Sequence, residues 1–462
     1  MAVSLDQKRI ALETFLQDHT NIKYVTPAAP EFSSLKATYN LTITATPLAI
    51  VRPQSSNDVA ALVSYCTTHG IQFSVRSGGN NLYGASCVQD ALMVDMRDIA
   101  FVDIDKEKSS ARVGGGILQG KLAKELSKEG LVTAMGSLGF VGFIGWGCYG
   151  GYGSLSAKYG LGVDNILAAK VVNWNGEIVD ADEEMMKGIR GAGGAFGVIV
   201  ELTVKVYPLK SILAGMIVFD SQDITSVYQS YNAGYQTLLD EGLSPALSSQ
   251  QMVVNSPNGR AFAVGIIWSS DDHDAGRAEL AKIEALGTVV MNTVGPTTVA
   301  DYMDILSTQI PSSAYGACQT LSIRKLNNET TAIMSRNFEK MPSSFGTAFT
   351  IHELRGPSAA PKSNSVFGLR EPHFMLEFIS TVAKEEDEKE SREWATNFRK
   401  ELLQMKPENL LPGTYISLTP PGVTPLSKIY GPDSNYETLL ELKQKYDPHN
   451  VFNLAVPKFY EQ

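Results

Sequence analysis

The sequence predicts an α+β fold built in two parts, and three observations predict it. Up to Pro208, short apolar strands alternate with capped helices and glycine-rich loops. Beyond Pro208, longer apolar strands alternate with helices in the pattern of a sheet with helices over one face. The chain has 462 residues, enough for two or three domains and a large core.

The elements follow in order. Ser4 with Gln7 three residues on reads as a capping box, opening a helix over Leu5 to Gln17 with Leu5, Leu12, Phe15 and Leu16 on one face. Ala49 to Arg52 is a short strand stopped by Pro53, and Ser55 to Asp58 cap a helix through Val59, Leu62, Val63 and Cys66 that ends at His69-Gly70. Residues 71–75 form the next strand, followed by strands at Leu92 to Met96 and Ala111 to Val113. Gly114 to Gly116 turn into a helix from Leu118 to Lys128, closed by Gly130. Ile166 to Val172 and Ile178 to Asp180 pair across an Asn175-Gly176 turn. The acids Asp180 and Asp182 read as a solvated turn, and Val198 to Val206 is a strand.

In the second part, strands are expected at 215–219, 261–268, 320–323, 347–354 and 374–380, with helices near 221–239, 275–286 and 385–404. The charge run Lys384 to Glu390 reads as a solvated helix start. The C-terminal stretch from Tyr436 to Phe452 has the look of an amphipathic helix ended by Asp447-Pro448.

Composition narrows the function. Hydrophobic residues at 44% and charged residues at 19% are ordinary for a soluble globular enzyme, and a net charge of −10 argues against nucleic acid or an anionic membrane as partner. Met1 to Asp18 lacks the basic start and apolar run of a secretory signal, and apolar windows such as Ile212 to Phe219 are too short to span a bilayer. Cys66, Cys87, Cys148 and Cys318 fit no metal spacing. A cytoplasmic protein with reduced thiols is the simplest expectation, its oligomeric state open.

Three glycine-rich stretches carry the chemistry. In Val75-Arg76-Ser77-Gly78-Gly79-Asn80-Asn81, with Gly84 after it, two adjacent glycines allow a tight turn that exposes consecutive N–H groups, with Arg76 beside them. Such a nest suits a pyrophosphate, although Ser-Gly-Gly-Asn is also good turn chemistry. Residues 136–153 hold eight glycines in eighteen positions, which points to something flat or extended lying against the chain, or to close backbone crossings. Arg190 to Gly197 repeats the theme.

Order and spacing of these stretches carry a resemblance. Arg-Ser-Gly-Gly at 76–79, Gly-Gly-Tyr-Gly-x-Leu-Ser-x-Lys-Tyr-Gly-Leu-Gly-x-Asp-Asn at 150–165 and Arg-Gly-Ala-Gly-Gly-x-Phe-Gly-Val-Ile at 190–199 resemble the FAD-linked oxidases of the vanillyl-alcohol-oxidase (PCMH) type. Within them the chain is most similar to berberine-bridge-enzyme-like and 6-hydroxy-D-nicotine-oxidase-like proteins, and residues 439–452 resemble that group's terminal motif. The resemblance covers nearly the whole chain. It implies a PCMH-type FAD domain over residues 1–208, a substrate domain over 209–411 whose antiparallel sheet lies above the flavin ring, and a segment 412–462 returning to the FAD domain. It further implies FAD contacts from Arg76, Ser77, Gly78, Gly79, Asn80, Asn81 and Gly84, from Gly136, Ser137, Val141, Gly142, Gly145, Trp146, Gly150 and Gly153, and from Val198.

The departures matter as much. Relatives tether the flavin to a histidine directly after Arg-Ser-Gly-Gly, and many add a cysteine two residues after the glycine matching Gly136; here these positions are Asn80 and Leu138. Of the six histidines none lies in the phosphate loop, and Cys148 comes ten residues late. The implied FAD is therefore non-covalent and a weaker oxidant. The family's Tyr-x-Asn-Tyr appears as Tyr415-Ile416-Ser417-Leu418, and Phe-Arg-His-x-Gln as Phe452 to Val456. Trp146 either shapes the ring site or fills core.

Flavin oxidation needs a group that handles a proton near the reacting carbon. Alternation along Thr350 to Gly356 puts Ile351, Glu353 and Arg355 on one strand face and His352 with Leu354 on the other. In nicotine-oxidase-like relatives carboxylates of this strand approach the substrate, and Glu353 matches one of them, making Glu353 and Arg355 the catalytic candidates. The alternative is an in-face ion pair of the two. His373, Met375 and Glu377 share a face of the next strand and are the second choice. An FAD-dependent oxidase or dehydrogenase of a small, largely apolar or alkaloid-like metabolite, in secondary metabolism, is expected; a redox-neutral isomerase or cyclase on the same scaffold is the alternative, and a binding protein a weaker third.

Overall fold

The computed structural model describes residues 4–257, 259–431 and 435–459. Four sheets carry the α+β architecture, and the first half begins from local signals visible in the chain. Ser4 and Gln7 form the capping box of the helix Leu5–Gln17, and Ser55 with Asp58 does the same for Ser56–His69, which Gly70 closes at φ 61°. The strands Lys23–Val25, Ala49–Arg52, Leu92–Asp95 and Phe73–Arg76 form the first sheet in that spatial order, the last three parallel. Phe73–Arg76 is its edge, so the glycine loop leaves from the end of an edge strand.

An antiparallel five-stranded sheet follows, ordered Val102–Asp105, Ser110–Gly114, Val198–Lys205, Ile166–Val172 and Ile178–Asp180. The hairpin turns where expected: Gly176 sits at φ 79°, and Asn173 Oδ1 accepts from the N–H groups of Asn175 and Glu177. Asp182 does more than sit in a solvated turn. It accepts from Met185 N at 2.8 Å and caps the helix Glu183–Ala192.

The largest sheet has eight strands and is antiparallel throughout. Its central path runs Val289–Asn292, Ile212–Phe219, Gly259–Trp268, Leu247–Ser256, Thr347–Leu354, His373–Ser380 and Cys318–Ile323, with Gly295–Thr297 also on Ile212–Phe219. Helices Ile224–Asp240, Asn328–Glu339 and Glu388–Leu402 cover one face, burying Tyr228, Tyr231, Phe338 and Phe398 against Phe349, Ile351 and Phe378. The charge run at 384–390 begins the last of these helices, as expected. The opposite face turns to the glycine-rich half: Leu354 and Met375 pack with Tyr152, Val163 and Tyr415, while Ala214 and Ile267 join the core of Phe143 and Trp146.

Of the elements that the sequence did not announce, two were hidden for a physical reason seen in the packing. Leu247–Ser256 alternates buried and half-buried residues, but Ser249 and Gln251 occupy buried positions and hide the apolar period. Gln251 is affordable there because its Nε2 donates to Asn232 Oδ1 at 2.8 Å. In Asn328–Glu339 the buried Ser335 and Asn337 donate to carbonyls one turn back, so polar residues again stand where apolar ones were sought.

The helix Asn435–Tyr446 returns to the first half. Buried Lys443 donates to Ala195 O at 2.9 Å and to Asp447 at 2.5 Å, and Asp447 also accepts from the N–H groups of Val451 and Phe452. Among the described residues no helix is long and apolar enough to cross a membrane, and the four cysteines are free and buried.

Candidate functional site

The loop after Phe73–Arg76 is a nest of unpaired donors. Among the described residues, the N–H groups of Gly78, Gly79, Asn80 and Asn81 donate to no protein atom. Gly79 stands at φ 82°, the left-handed geometry that turns successive N–H groups to one side. A Cβ on Gly78 would run into Gly142 N, and one on Gly142 would lie 2.5 Å from Gly78 N, so the loops 77–79 and 140–142 touch backbone to backbone. Ser77 Oγ is buried without a partner. On the adjoining short helix Phe143–Gly147, Gly145 is exposed, and a Cβ there would meet nothing within 4 Å.

Arg76 behaves differently from the sequence expectation. Its guanidinium is buried and turns inward, donating to Leu35 O and, at 2.7 Å, to Ala37 O, so it fixes the loop from behind and does not project into the nest. Burial lowers its pKa to about 10. Asn80, at the tethering position, has its amide nitrogen directed at Gly78 O (3.3 Å) and Phe140 O (3.1 Å), in the orientation that satisfies both carbonyls. Asn81 Oδ1 accepts from Tyr83 N and Ala85 N and shapes the exit past Gly84.

The glycines of 136–153 mostly face protein. A Cβ on Gly150 would meet Phe367, on Gly151 Gly162, on Gly153 Met135 O, and on Gly136 Gln119 and Trp146. Trp146 is buried and fills core under these glycines, with its indole N–H donating to Tyr152 O at 2.9 Å. Val141 O accepts from Gln119 N, Ser137 borders a small apolar gap with Met303 and Leu306, and Val198 is a buried strand residue paired with Val172. The stretch is thus chiefly a close backbone crossing, with Gly145 as its open point.

The catalytic candidates sit away from the glycine-rich half. Glu353 lies on the helix-covered face of the eight-stranded sheet, where its Oε2 accepts from Tyr235 Oη at 2.7 Å and pairs with Arg355 Nε at 3.1 Å. Arg355 also donates to the carbonyls of Leu243, Ser244 and Leu247. Burial raises the Glu353 pKa against the pull of Arg355. The alternation was right, but the face that carries Glu353 packs on Tyr235 and not on the glycine-rich half.

The other face brings together a cluster that sequence spacing could not assemble. Register sets Thr350 opposite Glu377 and His352 opposite Met375, with Thr320 on the far side of Glu377. Glu377 Oε2 accepts from Thr350 Oγ1 at 3.0 Å and lies 3.1 Å from His352 Nε2, and Gln250 Nε2 is 3.2 Å from the same ring nitrogen. Burial would raise the Glu377 pKa, but His352, Thr350 and the Cys318 thiol outweigh it and the net shift is downward. Tyr83, two residues beyond the nest, donates to Cys318 O, which places the cluster beside the loop. His373 is apart: buried, its Nδ1 on Glu371 O and its Nε2 on Tyr152 Oη.

Around the cluster this face is apolar. Met216 and Val218 lie opposite Gly265 and Ala263, which in turn lie opposite Gln250 and Met252. Met216, Val218, Gly265, Gln250, Met252, His352 and Glu377 all keep partial exposure. The arrangement is a donor-rich anion cradle next to a mostly apolar surface with one carboxylate–imidazole pair.

These residues fit FAD: four unpaired N–H groups and a buried unpartnered hydroxyl match a pyrophosphate. The comparisons agree. A sequence profile for an FAD binding domain matches residues 47–182, and one described as berberine and berberine like matches 427–456. The FAD-linked oxidoreductase aurO of Gibberella zeae is 34% identical over 439 residues, covering 94% of this chain and 85% of its own. The (R)-6-hydroxynicotine oxidase of Paenarthrobacter nicotinovorans is 31% identical over 256 residues, 54% of this chain and 55% of its own. The crystal structure of 6-hydroxy-D-nicotine oxidase from Arthrobacter nicotinovorans superimposes with a TM-score of 0.80 at 26% identity, over 94% of this chain and 96% of that one. A berberine-bridge-like protein from Physcomitrella patens shares the fold, with a TM-score of 0.81 at 20% identity over 97% of this chain and 99% of that one. The chain belongs to the berberine-bridge-like family of FAD-linked oxidoreductases, and it is an FAD-dependent enzyme of that family.

Proposed function

We propose that this enzyme holds FAD without a covalent bond and oxidises a small, largely apolar molecule of secondary metabolism. The observation that carries the cofactor state is Asn80, an amide turned onto Gly78 O and Phe140 O where a tethering histidine would stand. Leu138 at the second tether position supports it, as does burial of the Cys148 thiol, whose pKa is pushed up to about 12. Residues 78–81 would hold the pyrophosphate, with Arg76 keeping the loop in shape. FAD, when bound, supplies the acceptor for a hydride.

The substrate class follows from the sheet face above the nest. Met216, Val218 and Met252 offer aliphatic and thioether surface, and the polar groups among them are Gln250, His352 and Glu377. A sugar chain would need many more donors and acceptors. The relatives named for 6-hydroxynicotine and the fungal aurO protein are in keeping with this reading. The His352–Glu377 pair is the acid–base group of the site. The domain limits that go with it are 1–208 and 412–462 for the cofactor and 209–411 for the substrate.

Acid precipitation of the purified protein tests the cofactor state: the yellow colour should stay in the supernatant, and flavin fluorescence on the denatured chain would overturn it. Anaerobic bleaching of the flavin by 6-hydroxynicotine or aromatic alcohols, but not by xylobiose, tests the substrate class. A product of unchanged mass with no bleaching would instead favour the redox-neutral isomerase or cyclase.

A further inference from the structure

We propose that His352, through its Nδ1 atom, takes the substrate's proton, while Glu377 stands behind it as a fixed carboxylate that does not touch the substrate. The inference rests on the flavin-dependent reading above and deepens it. Three observations lead there.

Glu377 is already engaged. Its Oε2 meets Thr350 Oγ1 at 3.0 Å and His352 Nε2 at 3.1 Å, the Cys318 thiol lies beside it, and its side chain is only 12% exposed. His352 is the more open of the two, at 21%. Both of its contacts use Nε2; its Nδ1 has no partner among the described residues and is not among the buried unsatisfied atoms.

The shared nitrogen decides the tautomer. A ring nitrogen either donates or accepts, so Nε2 cannot give a proton to Glu377 while receiving one from Gln250. An ionised Glu377 requires the Nε2–H form, and Gln250 then turns its amide oxygen to the ring. That form leaves the Nδ1 lone pair facing the open side, the state of a base. The titratable groups around the pair are Cys318 and the phenols of Tyr39, Tyr83 and Tyr415, all with pKa values raised by burial, so they stay neutral near pH 7. Glu377 is therefore the charge that stabilises an imidazolium at His352.

The step balances. An O–H or N–H proton of the substrate passes to Nδ1 as the neighbouring C–H bond breaks. Its electron pair leaves as hydride to the family's flavin acceptor, and a carbon–heteroatom double bond forms.

The test uses the flavin-loaded protein with 15N-labelled imidazoles, assigned with H352Q. His352 is expected in the Nε2–H form near pH 7.5 in wild type, to lose that preference in E377Q and to keep it in E353Q. An Nδ1–H form in wild type, or an unchanged tautomer in E377Q, overturns the proposal. With whichever donor bleaches the flavin, H352Q should slow reduction by about a hundredfold or more while retaining flavin. Full-speed reduction in H352Q with loss only in E377Q would make Glu377 the direct base. Failure of the protein to retain any flavin would instead sink the cofactor reading, and the imidazole spectrum would still decide the tautomer.

Discussion

Tyr235 donates its phenol proton to Glu353 at 2.7 Å, joining the helix Ile224–Asp240 to the strand Thr347–Leu354, and Ser249 donates to the same phenol oxygen at 2.6 Å. With Arg355 on the other side of the carboxylate, this is a closed polar network inside the helix-covered face. Such a network holds secondary structure together and engages Glu353 on the side away from the glycine-rich half.

Glu353→Gln should therefore cost stability and spare chemistry. It leaves the half-buried Arg355 without its carboxylate, a change worth about 3 kcal/mol. Urea denaturation should show that loss, while flavin reduction stays within about twofold of wild type. A fall of about a hundredfold with unchanged stability would return Glu353 to the active site.

His373 should make the protein acid-labile. Burial lowers its pKa to about 4 despite the Glu371 carbonyl at Nδ1, which pulls the other way; in the neutral ring Nδ1 donates to Glu371 O and Nε2 accepts from Tyr152. A base whose folded pKa is depressed contributes stability that is present above the unfolded value, about 6.5, and is lost as pH falls towards the folded one. The loss between pH 6.5 and pH 4 should approach about 3 kcal/mol. His373→Gln should flatten that slope in denaturation curves compared at pH 7 and pH 4.5; an equal slope in both proteins would assign the acid sensitivity elsewhere.

Gly79→Val should abolish flavin retention. A Cβ at Gly79 would lie 2.7 Å from Arg76 Nη2, and its φ of 82° is strained for valine, so Arg76 must leave the carbonyls of Leu35 and Ala37. Occupancy below about a tenth of wild type is expected, with the exposed control Lys389→Ala unaffected. Equal absorbance at the flavin bands after gel filtration would reduce the loop to an ordinary turn.

Lys443→Met should loosen the C-terminal helix. Lys443 is 1% exposed, and without it Asp447 remains buried with only the N–H groups of Val451 and Phe452. A loss of about 3 kcal/mol is expected. Protease cleavage after residue 430 should rise in step, and resistance equal to wild type would show that the helix docks through its apolar face alone.

The sequence by itself determined the local architecture. Capping at Ser4 and Ser55, the Asn175-Gly176 turn and the nest at 78–81 are properties of short stretches, and each stands where the residues place it. The face parity of Thr350 to Arg355 was equally legible, since it follows from the two-residue period of a strand. Which of the two faces meets the cofactor half was not, because parity carries no sign: only packing against Tyr235 on one side and Tyr152 and Tyr415 on the other decides it. The pairing of His352 with Glu377 likewise needed the register between strands 25 residues apart in the chain. The glycines at 150–153 were ambiguous for a related reason. A missing side chain records that something lies close, and only the tertiary structure shows that the neighbour is the chain's own backbone and Phe367.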